Sequence, residues 1–349
     1  MNESKEVEEL NKLLRERWLS GIWNINPEER RLDPKTRVKP YLWKWSDIYD
    51  SLLQVRNQIS VTDGSVERRV IRLVNPGLPE TEMTSHTMLL SFQLIQPGEV
   101  APPHRHTMAA IRFILQGKGA YTTVEGQKMI MEEGDLILTP QWTWHGHANE
   151  GNDNMVWVDG LDLPLIQSLQ VIIFEPYPNE RLPVKEQPDL SSAYGITRPV
   201  TMEEGELERP LHYRWREVYL QLKQLAQKEP HPYDGTALKY INPLTGGPTL
   251  PTMSCWIQML RPGERTQAHR HTSTTIYHVF RGSGTRVING AAFHWEKGDT
   301  FIVPLWSWHE HANRSSKEEA ILFSLHDEPV LRAFGLYREE RQGESPLGL

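Results

Sequence analysis

The sequence predicts an all-β protein with peripheral helices, built from one structural unit used twice. Three observations predict it. First, the chain repeats itself: IQPGEVAPPHRHTMAAIRFILQGKG and EEGDLILTPQWTWHGHAN return as LRPGERTQAHRHTSTTIYHVFRGSG and EKGDTFIVPLWSWHEHAN. His269 repeats His104 at an offset of 165 residues and His309 repeats His145 at 164, while RLVNPG from Arg72 is echoed by KYINPL from Lys239. Two matched copies indicate a duplicated domain, since a solenoid needs three or more short repeats. Second, each copy consists of short apolar runs stopped by Gly or Pro, such as FILQG, DLILTP, HVFRG and TFIVP. Many short strands with regular turn signals indicate a sandwich or barrel. Third, helical periodicity occurs only outside the repeats.

Taken in chain order, Val7, Leu10, Leu14 and Trp18 fall on one helical face. Ser46 is placed to cap a second helix through Ile48, Tyr49, Leu52 and Leu53. The first repeat follows. Residues 178–210 are rich in Pro, Glu and Ser without a period and are assigned as the inter-domain connection. Trp215, Val218, Leu222 and Leu225 then predict a helix before the second repeat, and RQGESPLGL ends the chain as a loose tail. The expected organisation is a helical arm (1–69), a first β-unit (70–175), a connecting segment and helix (176–235) and a second β-unit (236–349).

The 349 residues fit two domains. A net charge of −7 argues against a nucleic-acid partner, which would call for a basic stripe. No apolar run is long enough for a membrane span, and the first twenty residues lack the apolar core of a signal peptide. Cys255 is the single cysteine, which excludes an internal disulfide and fits a reducing cytoplasm.

The chemistry lies in the histidines. His104 and His106 form an H-x-H pair, and residues i and i+2 of a strand share a face. His145 follows the next apolar strand and Pro140, where a barrel return can bring it to the same place, and His147 shares its side. The second copy repeats all four as His269, His271, His309 and His311, so eight of the fourteen histidines occupy two matched clusters. One buried histidine is ordinarily a hydrogen-bonded core residue; a duplicated H-x-H with a distant third histidine points to metal ligands instead.

These residues resemble a known family. Gly98, His104, His106 and Gly117, followed by Gly134, Pro140, His145 and Asn149, are similar to the two cupin motifs, and the second copy matches again from Gly263 to Asn313. The resemblance implies a bicupin of two antiparallel jelly-roll β-barrels. Many cupins place a Glu ligand where this chain has Ala110 and Thr275, which disfavours oxalate oxidases and decarboxylases. The motifs normally carry Gly where Trp142 and Trp306 stand. HRHTMAAIRF, GKGAYTTVEG, TPQWTWHGHAN and WVDGLDLPL closely resemble gentisate 1,2-dioxygenases, a ring-cleaving group that includes salicylate and 1-hydroxy-2-naphthoate dioxygenases.

The resemblance implies Fe(II) on His104, His106 and His145. Three neutral imidazoles would leave positions for a chelating 2-hydroxybenzoate and O2. Gentisate would be opened between its carboxyl- and hydroxyl-bearing carbons to maleylpyruvate. The alternatives are the same chemistry on salicylate, a substituted salicylate or 1-hydroxy-2-naphthoate, or a non-catalytic metal-binding bicupin for small aromatic acids. Residue by residue, the family pattern implies that Arg112, Gln93 and Arg68 contact substrate, with Arg69 the neighbouring candidate. It places His147 and Asp159 in catalytic roles, Asp159 fixing His147 or meeting a ring hydroxyl. Leu89 stands where relatives often carry Trp, which bears on substrate preference. His269, His271 and His309 form a possible second metal site, but Tyr277 replaces the Arg112 equivalent, so catalysis is assigned to the first unit. Trp142, Trp144, Trp306 and Trp308 are assigned to barrel packing. A homotetramer or homodimer is the implied assembly.

Overall fold

The structure, a computed structural model, describes residues 5–24, 26, 30–59, 68–185, 212–242 and 245–343. Most of the expected connection, over 186–211, and the end of the tail, over 344–349, lie outside the described residues. The chain forms two compact units, residues 1–35 and 36–349.

In the N-terminal unit, α1 (Lys5–Glu16) forms where periodicity predicts a helix. The predicted apolar stripe is not buried: Leu10 is 42% exposed, and Trp18 lies beyond the helix end, 97% exposed, at φ 58°. The residue that α1 buries is Asn11. Asn11 trades side-chain amide hydrogen bonds with Asn24 and accepts one from Trp23 Nε1 at 3.0 Å. Polar contacts to its own following turn hold this helix.

The large unit opens with β1 (Tyr41–Trp43) and α2 (Trp45–Gln58). The first repeat supplies β2 (Val70–Arg72), β3 (Leu89–Ile95), β4 (Val100–His106), β5 (Ala110–Gln116), β6 (Ala120–Val124), β7 (Gln127–Ile130), β8 (Leu136–Thr139), β9 (His145–Asn149) and β10 (Met155–Leu161). Then come α3 (Leu163–Ser168), β11 (Phe174–Pro176), β12 (His212–Tyr213) and α4 (Trp215–Leu225). The second repeat runs through β13 (Thr236–Lys239), β14 (Ser254–Leu260), β15 (His269–His271), β16 (Thr275–Arg281), β17 (Ser283–Ile288), β18 (Ala291–Glu296), β19 (Thr300–Val303), β20 (His309–Asn313) and β21 (Ala320–His326), ending in α5 (Glu328–Ala333) and β22 (Glu339–Arg341).

Each repeat makes two facing antiparallel sheets. In the first their orders are β12-β8-β5-β10-β3-β2 and β11-β4-β9-β6-β7; in the second, β1-β19-β16-β21-β14-β13 and β18-β17-β20-β15-β22. The edge strands are exchanged. β1 precedes the first barrel yet pairs with β19 of the second, and β12 precedes the second yet pairs with β8 of the first. The following helices are exchanged with them. Trp45 N–H, opening α2, donates to Asp299 Oδ1 at 2.9 Å, and Trp215 N–H, opening α4, donates to Asp135 Oδ1 at 2.8 Å. This corrects the assignment of Ser46 as a cap: Ser46 lies inside α2, whose N-cap is Lys44, and a carboxylate of the other barrel satisfies the helix end.

The largest core lies between the barrels, where the outer faces of the six-stranded sheets meet. Phe113 of β5 stacks on Phe323 of β21 with centroids 4.2 Å apart, and Phe92 and His278 meet beside them. Alternation puts these residues outside and leaves their strand neighbours to line the barrels. A fully buried Phe contributes about 1.5–3 kcal/mol. At Gly160 an added Cβ would stand 2.7 Å from Leu325 Cδ2, so a larger residue there would have to displace that side chain. The short helices α3 and α5 were not anticipated, because six residues carry no readable period.

Candidate metal and substrate site

β4 and β9 pair with His104 opposite His145. This register, with the two-residue repeat of a strand, brings His104, His106 and His145 together at one end of the first barrel. One nitrogen from each lies within 4.8 Å of the others, and all three residues are buried. Ring orientation is fixed from behind. His106 Nδ1 donates to Met108 O at 2.8 Å and His145 Nδ1 to Thr143 O at 2.9 Å, because a carbonyl can only accept. Each Nε2 is thereby left with a lone pair, the form a metal requires. His145 Nε2 is buried without a partner, which fits a ligand atom. Burial first, then neighbouring cationic groups, pushes His104 down to about 2; burial takes His106 to about 4 and His145 well below the usual histidine range. The imidazoles are neutral at neutral pH.

The inner face of β3, β5 and β10 supplies the wall. Arg112 is register partner to Asp159, and Trp157 to Gln93, so these four point the same way. Arg112 is buried, with Nε 3.2 Å from Asp159 Oδ1 and Nη1 donating to Thr139 Oγ1. Burial raises the Asp159 carboxyl, opposed by the charge of Arg112. Asp159 Oδ2 accepts from Trp157 Nε1 at 2.9 Å. The structure thus does not bring Asp159 to His147, as one sequence expectation had it: His147 Nδ1 meets Thr122 Oγ1 at 2.9 Å, and its Nε2 is buried without a partner. Gln93 and Leu89 are buried on the inner parity of β3. Arg68 and Arg69 are separated by their surroundings. Arg68 Nη2 lies 2.9 Å from His104 Nδ1, whereas Arg69 is tied to both oxygens of Glu99.

The tryptophans have a different role from the barrel packing expected of them. Trp142 and Trp144 sandwich the Arg105 guanidinium at 4.4 and 4.5 Å, and Trp306 and Trp308 hold Arg270 at 4.3 and 5.1 Å. Trp142 and Trp306 sit at φ 58° and 57°, the left-handed region that explains why the motif usually has Gly there. Their N–H groups donate to the carbonyls of His106 and His271 at 2.8 and 2.7 Å, so each turn is anchored on a clustered histidine.

The second barrel repeats the triad in His269, His271 and His309, again within 4.8 Å and buried. Sequence reasoning missed Arg286. It is fully buried in β17, stacked 4.1 Å from Tyr277 and 5.1 Å from Phe301, with Nη1 2.7 Å from His311 Nε2. Its alternation with Gly284 and Ile288 on an inward face was the available signal.

Two antiparallel barrels, each with an inward histidine triad, define a bicupin. The cupin domain family model matches residues 91–161 and 256–326. The chain is 43% identical to the 5-aminosalicylate 1,2-dioxygenase of a Comamonas species, over 92% of this chain and 87% of that protein. It is 35% identical to gentisate 1,2-dioxygenase 1 of Aquipseudomonas alcaligenes, over 97% of each. The crystal structure of the salicylate 1,2-dioxygenase of Pseudaminobacter salicylatoxidans superposes with a TM-score of 0.88 at 30% identity, covering 99% of this chain and 100% of that one. The chain belongs to the gentisate and salicylate family of ring-cleaving bicupin dioxygenases. No helix among the described residues is long and apolar enough to cross a membrane.

Proposed function

We propose that the first barrel holds Fe(II) on His104, His106 and His145 and uses O2 to open the ring of gentisate, giving maleylpyruvate. The observation that carries this reading is the convergence of three buried imidazoles, two with their tautomers locked by carbonyls, beside the buried guanidinium of Arg112. With three neutral ligands and no carboxylate at Ala110, bound iron would keep its full charge and open positions for an anionic chelating substrate and O2, letting electron density pass from ring to oxygen.

The protein's own groups do the remaining work. Arg112, with Arg68 at the rim, attracts and orients the substrate carboxylate, as a guanidinium fork does best. Asp159 and Thr139 hold Arg112 in place. His147 is kept neutral by burial, then by the charge of Arg112. The Thr122 hydroxyl can donate to Nδ1, leaving the proton on Nε2, or accept from it. Nε2 can therefore give or take a hydrogen bond at a ring hydroxyl without a net charge change. Gln93 adds an amide to the same wall, and Leu89 presents an aliphatic surface to the ring.

A second reading, 5-aminosalicylate, is favoured by the 43% identity to an enzyme of that name. Both acids carry an electron-donating group para to the 2-hydroxyl, so the same positioning serves both. The test is to purify the protein anaerobically, load Fe(II), add each aromatic acid with O2, and follow the near-ultraviolet absorbance of the ring-opened product. Turnover of gentisate at the highest kcat/KM is expected. Turnover of 5-aminosalicylate, salicylate or 1-hydroxy-2-naphthoate without gentisate would replace the substrate assignment. Silence with every acid in iron-loaded protein would favour a binding module.

A further inference from the structure

We propose that the second barrel holds a divalent metal ion of its own on His269, His271 and His309, with Asp234 beside it as a built-in carboxylate, and that this site does not take an aromatic acid. The ligand geometry is preserved to a fraction of an ångström. Ring centroids are 4.2 Å apart for His269 and His309, 5.0 Å for His271 and His309, and 5.6 Å for His269 and His271. The matching separations in the first barrel are 4.5, 4.8 and 5.2 Å. The supporting bonds are preserved too. His271 Nδ1 donates to Ser273 O and His309 Nδ1 to Ser307 O, each at 2.8 Å. Carbonyls at those positions fix the tautomer that offers Nε2, and His309 Nε2 is buried without a partner. A core histidine freed from metal duty would have satisfied that nitrogen another way.

The groups around the triad differ. In the first barrel Arg68, two residues ahead of β2, reaches the leading histidine of the H-x-H pair. In the second, register makes Gly235 the counterpart of Arg68, and the preceding residue, Asp234, brings Oδ1 to 4.0 Å from His269 Nε2. Its position is built: His231 Nδ1 lies 2.8 Å from Oδ2, and Gln258 Nε2 donates to the Asp234 carbonyl at 2.6 Å. Tyr277 replaces Arg112 on the wall. The side chains lining the mouth include Asp234, Glu328 and Glu339, of which Glu328 pairs with Arg332 and Lys239 and Glu339 with Arg341. The buried guanidinium of Arg286 stacks on Tyr277 and meets His311 through Nη1, while its Nε and Nη2 are buried without a hydrogen-bond partner. A 2-hydroxybenzoate would meet the Asp234 carboxylate beside the triad, and Tyr277 in place of the Arg112 guanidinium. Asp234 instead supplies the negative charge that the substrate supplies in the first barrel, which suits a resident cation.

The test is metal content of the full chain. Protein stripped of metal, reloaded anaerobically with Fe(II) and desalted should carry two ions per chain, and His309→Ala and His145→Ala one each. Asp234→Asn is isosteric and should weaken one of the two ions by about tenfold or more in a chelator titration while sparing the other. The wild-type count and Asp234→Asn stand even if His309→Ala does not fold. One ion in the wild type, two in His309→Ala, or equal affinities in Asp234→Asn would overturn the site. For the ligand class, Co(II) is loaded into His145→Ala and salicylate is added: an unchanged visible cobalt spectrum is expected, and a shifted one would overturn the exclusion of aromatic acids.

Discussion

Thr252, from the loop ahead of β14 in the second barrel, donates a 2.7 Å hydrogen bond to Asp162 Oδ2 in the first. Asp162 Oδ1 in turn accepts the Ala109 N–H at 2.8 Å. Ala109 follows Met108, whose carbonyl holds His106. The second barrel thus braces the loop that aims a first-barrel histidine. The arrangement is reciprocal, since Thr87 donates to Asp327 Oδ2 at 2.6 Å and Asp327 Oδ1 accepts the Thr274 N–H. Thr252→Val removes one hydrogen bond to a buried carboxylate. It should lower the unfolding free energy by about 1.5–3 kcal/mol. It should also weaken metal binding to the first triad by up to about tenfold. Denaturant unfolding and chelator competition check both, and unaltered metal affinity in a destabilised variant would show that the brace is structural only.

The exchanged helix caps make a second prediction. Asp299 accepts the Trp45 N–H and pairs with Lys44 Nζ at 2.6 Å while almost fully buried. Asp299→Ala should cost about 0.5–2 kcal/mol from the lost cap. The locally loosened segment should be α2, far from residue 299 in sequence. Hydrogen exchange of the α2 amides reads this directly; faster exchange confined to the β18–β19 turn would contradict it.

How much of this was legible beforehand follows the same division. The duplicated strands, the two triads and the inward parity of Arg112 and Gln93 could be read, because two-residue alternation and motif spacing are local properties. The exchange of β1 and β12 could not, since it pairs segments 75 or more residues apart. Ser46 looked like a cap because the local pattern allows one, and Asp299 is invisible at that distance. The family pattern offered Asp159 either His147 or a ring hydroxyl, and β-register, which that pattern does not display, puts Arg112 beside it.

A third prediction concerns acid stability. His278 is buried between Phe92 and Phe113, with Nδ1 3.0 Å from Thr300 Oγ1. Burial pushes it down to about 3. Its folded-state value lies below the ordinary one near 6.5, so the unfolded chain binds the extra proton between these limits. Stability from keeping it neutral is fully present above about pH 6.5 and is lost progressively as pH falls toward 3. His278→Asn keeps a polar partner for Thr300 and should flatten the dependence of unfolding free energy on pH by up to about 1.4 kcal/mol per pH unit in that window. An unchanged slope between pH 4 and 6.5 would refute the assignment.

A change at Arg112 should separate substrate binding from metal binding. Its guanidinium touches Asp159 and Thr139, and no ligand histidine is hydrogen-bonded to it among the described contacts. Arg112→Ala should therefore keep first-site metal while raising KM for the aromatic acid, with kcat/KM falling about a hundredfold or more if a bidentate charged contact is lost. The same change strands the Asp159 carboxylate in a buried place, which should cost about 3–5 kcal/mol of stability. Adding Asp159→Asn to Arg112→Ala should recover much of that stability, because the uncompensated charge is gone. It should recover none of the substrate affinity, because the fork proposed to meet the carboxylate is still missing. Loss of metal in Arg112→Ala, or restored kcat/KM in the double variant, would show that Arg112 serves the fold of the site and not the substrate.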